Sequence, residues 1–181
     1  MKKITISCIA FLLVAASWQT AALAAPPKGF GIMFGSIETD RTAQDGTPLP
    51  ASQGSSIGVD YQWSMSDAFT LNLALHSSAE TFPSIPGVDV GHGAIIFGGR
   101  LWFGDTVFIG LHIGSYSEVL SSGPIQINGA GGGSGFEAGV EFDQGFFIGF
   151  SVDSATVEYD LIGALPTDIT TTRLHLGYRF H

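Results

Sequence analysis

The stretch from Ser56 to Ser78 constrains this chain most. In steps of two, Ile57, Val59, Tyr61, Trp63 and Met65 are apolar, while Ser56, Gly58, Asp60, Gln62 and Ser64 are small or polar. Ser66-Asp67-Ala68 follows, and the alternation resumes with Phe69, Leu71, Leu73 and Leu75 against Thr70, Asn72, Ala74 and His76. A period of two sustained over about ten residues is a strand with unlike faces. Two such runs joined by a few turn-type residues make a hairpin.

The pattern recurs along the chain. Phe30 to Thr39 opens it, with Phe30, Ile32 and Phe34 assigned to the outer face. His92 to Phe103 pairs with the run that starts at Val107, and Phe136 to Phe142 pairs with Phe146 to Asp153. The last run places Thr172, Leu174, Leu176, Tyr178 and Phe180 on one face, with Arg173, His175, Gly177 and Arg179 on the other. This gives eight strands. Their connections alternate between long and short. Asp40–Ser55, Ser78–Gly91, Ser117–Gly133 and about Thr156–Thr167 read as long loops rich in Gly, Pro and Ser. The short turns read as Ser66-Asp67-Ala68, Gly104-Asp105-Thr106 and Asp143-Gln144-Gly145. That reading pairs Met65 with Phe69, Phe103 with Val107 and Phe142 with Phe146. Gly145 stands where a three-residue hairpin loop wants a left-handed residue.

Residues 1–24 read as an address. Lys2 and Lys3 precede a mostly apolar run from Ile4 to Ala16, and Ala22-Leu23-Ala24 supplies the small residues of a cleavage site. Cys8, the single cysteine, leaves with this signal peptide, which takes disulfides and thiol chemistry out of the mature chain. Residues 25–181 then form one domain with no second apolar run long enough for a helical span. Charged residues make up only 13% of the chain, and mean hydropathy is +0.32. Once Lys2 and Lys3 are gone, five of the seven basic residues face sixteen acids. That balance argues against nucleic acid or any polyanion as a partner.

The facing of the charges separates two all-β readings. A soluble barrel or sandwich would put apolar residues inside. Here one face is continuously aliphatic and aromatic, while the other carries Asp60, Arg100, Glu137, Glu141, Asp153, Arg173 and Arg179. An inside-out barrel explains both faces. Ten residues at about 3.3 Å rise and ~45° tilt span roughly 24 Å, close to the ~25 Å apolar band of a membrane barrel. The bilayer also demands closure, because an open edge in hydrocarbon leaves backbone groups unpaired. Trp63, Phe69, Phe103, Phe142, Phe146 and Tyr178 gather near the short turns, as an interfacial aromatic girdle does. The predicted fold class is all-β: an eight-stranded antiparallel up-and-down transmembrane barrel.

On these residues the chain resembles the small eight-stranded bacterial outer-membrane barrels, such as the OmpA transmembrane domain, OmpX and OmpW. The resemblance covers nearly all of the mature chain and is one of pattern. Its most specific part is Leu174-His175-Leu176-Gly177-Tyr178-Arg179-Phe180. In the family an alternating end with a final aromatic is what the barrel-assembly machinery recognises. Leu174, Leu176, Tyr178 and Phe180 take that role here, and the extra His181 departs from the pattern. The resemblance also implies a Gram-negative outer membrane, both termini periplasmic, the short turns at Asp67, Asp105 and Asp143 periplasmic, and Asp45, Pro86, Gly131 and Gly163 outside.

Four features bear on chemistry. His76, His112 and His175 share the lumen face but sit on strands three, five and eight with no convergence, so lumen filling is preferred to a metal site. His76 and Ser78 form a His-x-Ser on one strand face, where a base could activate a hydroxyl. This is similar to lipid A deacylases of the PagL type, which place asparagine after the serine where this chain has Ala79. Glu80 is a loop candidate for the orienting carboxylate. The seven lumen charges read as a paired structural network rather than a gated ion path. Gly131-Gly132-Gly133 reads as a flexible loop tip, because no phosphate-binding helix follows it.

The preferred reading is a non-enzymatic outer-membrane barrel, closed at its periplasmic end, that displays four acidic loops. Its partners are outer-membrane lipid and lipopolysaccharide, and the assembly machinery during biogenesis. It has no cofactor and is monomeric. A small pore or carrier, a lipid A-modifying enzyme and an adhesin remain as alternatives.

Overall fold

The computed structural model describes residues 27–104, 106–161 and 166–180. The proposed signal peptide, Asp105, Gly163 and His181 lie outside these. The strands are β1 (Gly29–Ala43), β2 (Pro48–Ser66), β3 (Phe69–Thr81), β4 (Asp89–Phe103), β5 (Val107–Ser122), β6 (Ile125–Glu141), β7 (Phe146–Tyr159) and β8 (Thr167–Phe180). Each pairs antiparallel with its sequence neighbour, and β8 returns to β1, so the sheet closes with no free edge. The closing ladder runs from Phe30 opposite Phe180 to Ala43 opposite Thr167.

Faces follow the parity of the sequence. Phe34 and Leu111 are 57% and 74% exposed on the outside, while Arg173 and Arg179 are 1% exposed within. In β1, Phe30 and Phe34 point out and Met33 and Ile37 point in. An exterior of exposed aliphatic and aromatic residues around a charged interior is stable only where the surrounding solvent is apolar. This is a transmembrane barrel.

The strands are longer than the apolar alternation. β2 has 19 residues, and at about 3.3 Å rise and ~45° tilt such a strand climbs roughly 44 Å, well beyond a ~25 Å band. The outward row changes character at one level on every strand. Below it stand residues such as Ile57, Leu75, Ile113 and Leu174; above it stand Ser36, Ser55, Ser77, Gly93, Ser115, Ser134, Ser154 and Thr172. Of the four regions read as long loops, Asp40–Ser55 and Ser117–Gly133 are therefore mostly strand, and Ser78–Gly91 and Thr156–Thr167 are strand at their ends. Residues 44–47, 82–88, 123–124 and 160–166 are all that connects them at this far end. The Gly131-Gly132-Gly133 run is ladder, paired with Tyr116, Ser115 and Gly114. The reason is physical: where the wall leaves the bilayer its outer face meets water, so Ser, Thr and Gly replace the apolar partner of each alternating pair.

The short-turn end needs one correction. The β2–β3 register shifts between Ser64 and Ser66, and Phe69 lies opposite Ser66 instead of Met65. The turn is thus two residues with a bulge that makes Met65 the extra residue. Phe103 does lie opposite Val107. In the third turn Phe142 N–H donates to Phe146 O at 2.7 Å and Gly145 N–H to Phe142 O at 2.8 Å. Gly145 has φ +84°, a conformation glycine adopts without steric cost.

Candidate functional site

The lumen is filled in three tiers. The inner tier, at the short-turn end, is built on Arg100 of β4 and Arg179 of β8. Arg100 Nε and Nη2 donate to the two oxygens of Glu137 at 2.7 and 2.9 Å. Its Nη1 donates to Asp60 Oδ2 at 3.0 Å and to Gln62 Oε1 at 2.6 Å. Arg179 Nε donates to Glu141 at 3.1 Å, and its Nη1 and Nη2 reach Asp60, each at 3.1 Å. Aromatic rings back both guanidiniums: Arg100 lies 4.7 Å from the Phe108 centroid and Arg179 5.4 Å from Phe147. Trp102 completes the tier, its Nε1–H donating to Thr70 Oγ1 at 2.9 Å. Charges removed from water need such multiple partners to be tolerated.

The middle tier centres on Asp153. Its Oδ1 is 2.5 Å from His112 Nε2 and accepts from Tyr116 O–H at 2.8 Å. Arg173 Nη1 stands 2.9 Å from Oδ2.

The outer tier is built on Arg41 of β1. Arg41 Nε donates to Glu118 Oε1 at 3.0 Å and its Nη1 to Ser52 Oγ at 2.8 Å. Ser52 Oγ donates in turn to Glu80 Oε2 at 2.6 Å. Tyr159 O–H donates to Glu118, and Phe82 lies 5.0 Å from the Arg41 guanidinium carbon. Arg41, Glu80 and Glu118 fell in segments read as loops. Continuing the strand parity past the last apolar outward residue would have placed all three inside. Side chains therefore occupy this end of the lumen as well.

The inward glycines of the wall are sites of close approach. A Cβ on Gly58 would meet His76 Nδ1 at 2.8 Å, one on Gly110 would meet Glu137 Cγ at 2.9 Å, and one on Gly149 would overlap the His175 ring. Each glycine makes room for a large inward side chain on the neighbouring strand.

The other candidate residues are placed as follows. His76 and Ser78 both face the lumen, and Ser78 Oγ donates to Glu80 Oε1 at 2.7 Å, so the hydroxyl is engaged by the carboxylate two residues on. Leu174, Leu176, Tyr178 and Phe180 form an outward ridge beside the closing seam. No group of three or more His, Cys, Asp or Glu residues among those described is arranged to hold a metal ion.

The far rim has its own character. Glu38, Asp40, Asp45, Asp89, Glu158, Asp160 and Asp168 are exposed there. All four described arginines are inside the barrel, and Lys28 lies beside the start of β1 at the opposite end. Each far connection or its flank carries an exposed aliphatic: Leu49, Ile85, Ile125 and Leu161.

No family model matches the chain, and no curated protein matches it in sequence. Solved structures do match its fold. The attachment invasion locus protein Ail of Yersinia pestis is 16% identical with a TM-score of 0.55, covering 85% of this chain and 100% of its own. Ail in complex with the heparin analogue sucrose octasulfate gives a TM-score of 0.56 at the same identity and coverage. Neisserial surface protein A is 9% identical with a TM-score of 0.57, covering 84% of this chain and 97% of its own. At these identities the likeness is one of fold: the chain has the architecture of the small eight-stranded outer-membrane barrels.

Proposed function

We propose that this protein is a non-enzymatic integral outer-membrane barrel whose work is done at its outer rim. One observation carries the reading: side chains with satisfied charges and stacked rings close both ends of the lumen, so the accessible chemistry lies outside it. The barrel stands as a monomer in outer-membrane lipid and lipopolysaccharide, with both termini and the short turns periplasmic. Leu174, Leu176, Tyr178 and Phe180 serve the assembly machinery during biogenesis. The rim extends above the lipid on continuous strands and presents carboxylates without accessible arginine.

Ail has been crystallised with a heparin analogue. A sulfated polyanion is a poor fit to this chain, because a ring of exposed acids repels it. Nucleic acid is disfavoured for the same reason. The lipid A deacylase reading loses support from the lumen-facing placement of His76 and Ser78 and from the Ser78–Glu80 hydrogen bond, since a lipid substrate would have to approach from the outer face. The pore and carrier readings lose support from the two filled tiers.

Two measurements test the reading together. Lipid A from cells with and without the protein should carry the same acyl chains by mass spectrometry. Cells displaying the protein should retain no more of a fluorescent heparin fragment than cells lacking it. A lost acyl chain would restore the enzyme, and captured heparin would overturn the acidic-rim assignment.

A further inference from the structure

Between the inner and middle tiers the lumen holds a cavity of about 10 Å³, measured to the centre of a water-sized sphere. Five of its lining residues, Asn72, His112, Ser151, Arg173 and His175, carry buried side-chain atoms with no hydrogen-bond partner. Each of the five is at least nine-tenths buried. Arg173 is the sharpest case. Its Nε, Nη1 and Nη2 all lack a hydrogen bond, although Nη1 is within ion-pair distance of Asp153. Arg41, Arg100 and Arg179 each donate several side-chain hydrogen bonds.

Buried polar atoms are nearly always paired, and a charged donor left unpaired is costly. Of the seven described residues with such atoms, five gather around one small void, and only His92 and Asp153 lie outside its lining. We infer that this cavity is a binding site for one sequestered water molecule, held chiefly by Arg173, Ser151 and Asn72. The size fits, since a single water needs roughly 10–15 Å³ by this measure and two to four polar partners. The chemistry selects water over a small anion. Arg173 only donates and the Asn72 amide oxygen only accepts, so the ligand must do both. Chloride would leave the Asn72 oxygen unpaired and bring a second negative charge close to Asp153. Register builds the site: Ser151 lies opposite Arg173 across β7 and β8, while Asn72 and His112 flank Gly98 on β4. A Cβ on Gly98 would stand 3.1 Å from Asn72 Oδ1, so glycine keeps that side open.

The test is magnetisation transfer from water in ¹⁵N-labelled full-length protein in lipid bilayers. Arg173 Nε–H should receive it strongly, while Arg100 Nε–H, which is bonded to Glu137, should not. Ser151→Val places a methyl group in the cavity and should abolish the transfer at Arg173. Should that variant fail to fold, Ser151→Ala removes one partner at little cost in volume and should weaken the transfer several-fold. A dry Arg173 in the unmutated protein overturns the site. So does an Arg173 resonance that shifts when chloride is exchanged for gluconate, because the occupant is then an anion.

Discussion

Arg179 meets Asp60 end-on, Nη1 to Oδ1 and Nη2 to Oδ2 both at 3.1 Å, and so ties the last strand to the second across the barrel interior. Arg100 uses the same carboxylate from β4. Asp60 is therefore shared by both inner arginines, whereas Glu137 serves Arg100 and Glu141 serves Arg179. Asp60→Ala should be the most damaging single truncation in this tier, about 3–5 kcal/mol, because it strips a partner from two buried cations. Glu141→Ala leaves Arg179 its bond to Asp60 and should cost less. Urea unfolding in detergent micelles, read as loss of the compact unheated gel band, ranks the two. Equal midpoints would refute the shared role of Asp60.

The glycine-and-ring packing makes a second prediction. Gly149→Ala drives a methyl group into His175, and overpacking of this kind costs about 1–3 kcal/mol. His175→Ala removes the obstacle. The double variant should be more stable than the sum of the singles implies, a coupling that a double-mutant cycle measures. Additive costs would mean that the ring rotates away freely.

Strand parity explains how much of this was legible. The eight strands, the outward row from Phe30 to Phe180 and the inward placement of all seven charges follow from a period of two, which a half-apolar wall makes visible. Parity failed where the wall leaves lipid. There Ser115, Ser117, Gly132 and Ser134 replace apolar residues on the outside, so Tyr116 and Glu118 alternate with residues that look like loop. The Met65 bulge was hidden for a different reason: a one-residue register shift leaves composition unchanged.

Topology follows from the corrected strand ends. Single cysteines at Asp45, Pro86 and Gly123 should react with an impermeant maleimide on intact cells, and cysteines at Asp67 and Gln144 should react only after the outer membrane is breached. Gly131, once the natural choice for the third outer site, is unsuitable, because its added Cβ would strike the Thr156 carbonyl inside the ladder. Labelling of Asp67→Cys on intact cells would invert the orientation.

Phe180 sits at the seam where the barrel closes. Its ring stacks on Phe30 of β1 with centroids 6.4 Å apart and meets Tyr178 edge-on at 5.0 Å. Phe180→Ala should lower the folded amount reaching the outer membrane. The Phe30→Ala variant separates the causes, since it removes the same seam contact without touching the final residues. If both variants assemble equally poorly, the defect lies in closure. If only Phe180→Ala fails, recognition of the strand end is responsible. Normal assembly of Phe180→Ala would remove the proposed role.

The two filled tiers make the last prediction. Eight strands enclose a space that side chains can fill. Here the inner tier is sealed by Arg100, Arg179, Trp102, Phe108 and Phe147, and the outer by Arg41, Glu118, Phe82 and Tyr159. With the middle tier of Asp153, His112, Tyr116 and Arg173 between them, these seals stand in series, so opening either one leaves the rest shut. Phe147→Ala with Arg179→Ser hollows the inner tier, and Phe82→Ala with Arg41→Ser hollows the outer. In planar bilayers the unmutated barrel and each of these double variants should pass no steady current. Their four-site combination keeps the middle tier and should pass none either, provided the unheated protein still runs as a compact band on gels. Serine replaces arginine here because it leaves no buried cation and accepts water. Steady current through either double variant or their combination would mean that the remaining tiers do not seal, and steady current through the unmutated barrel would make this protein a channel.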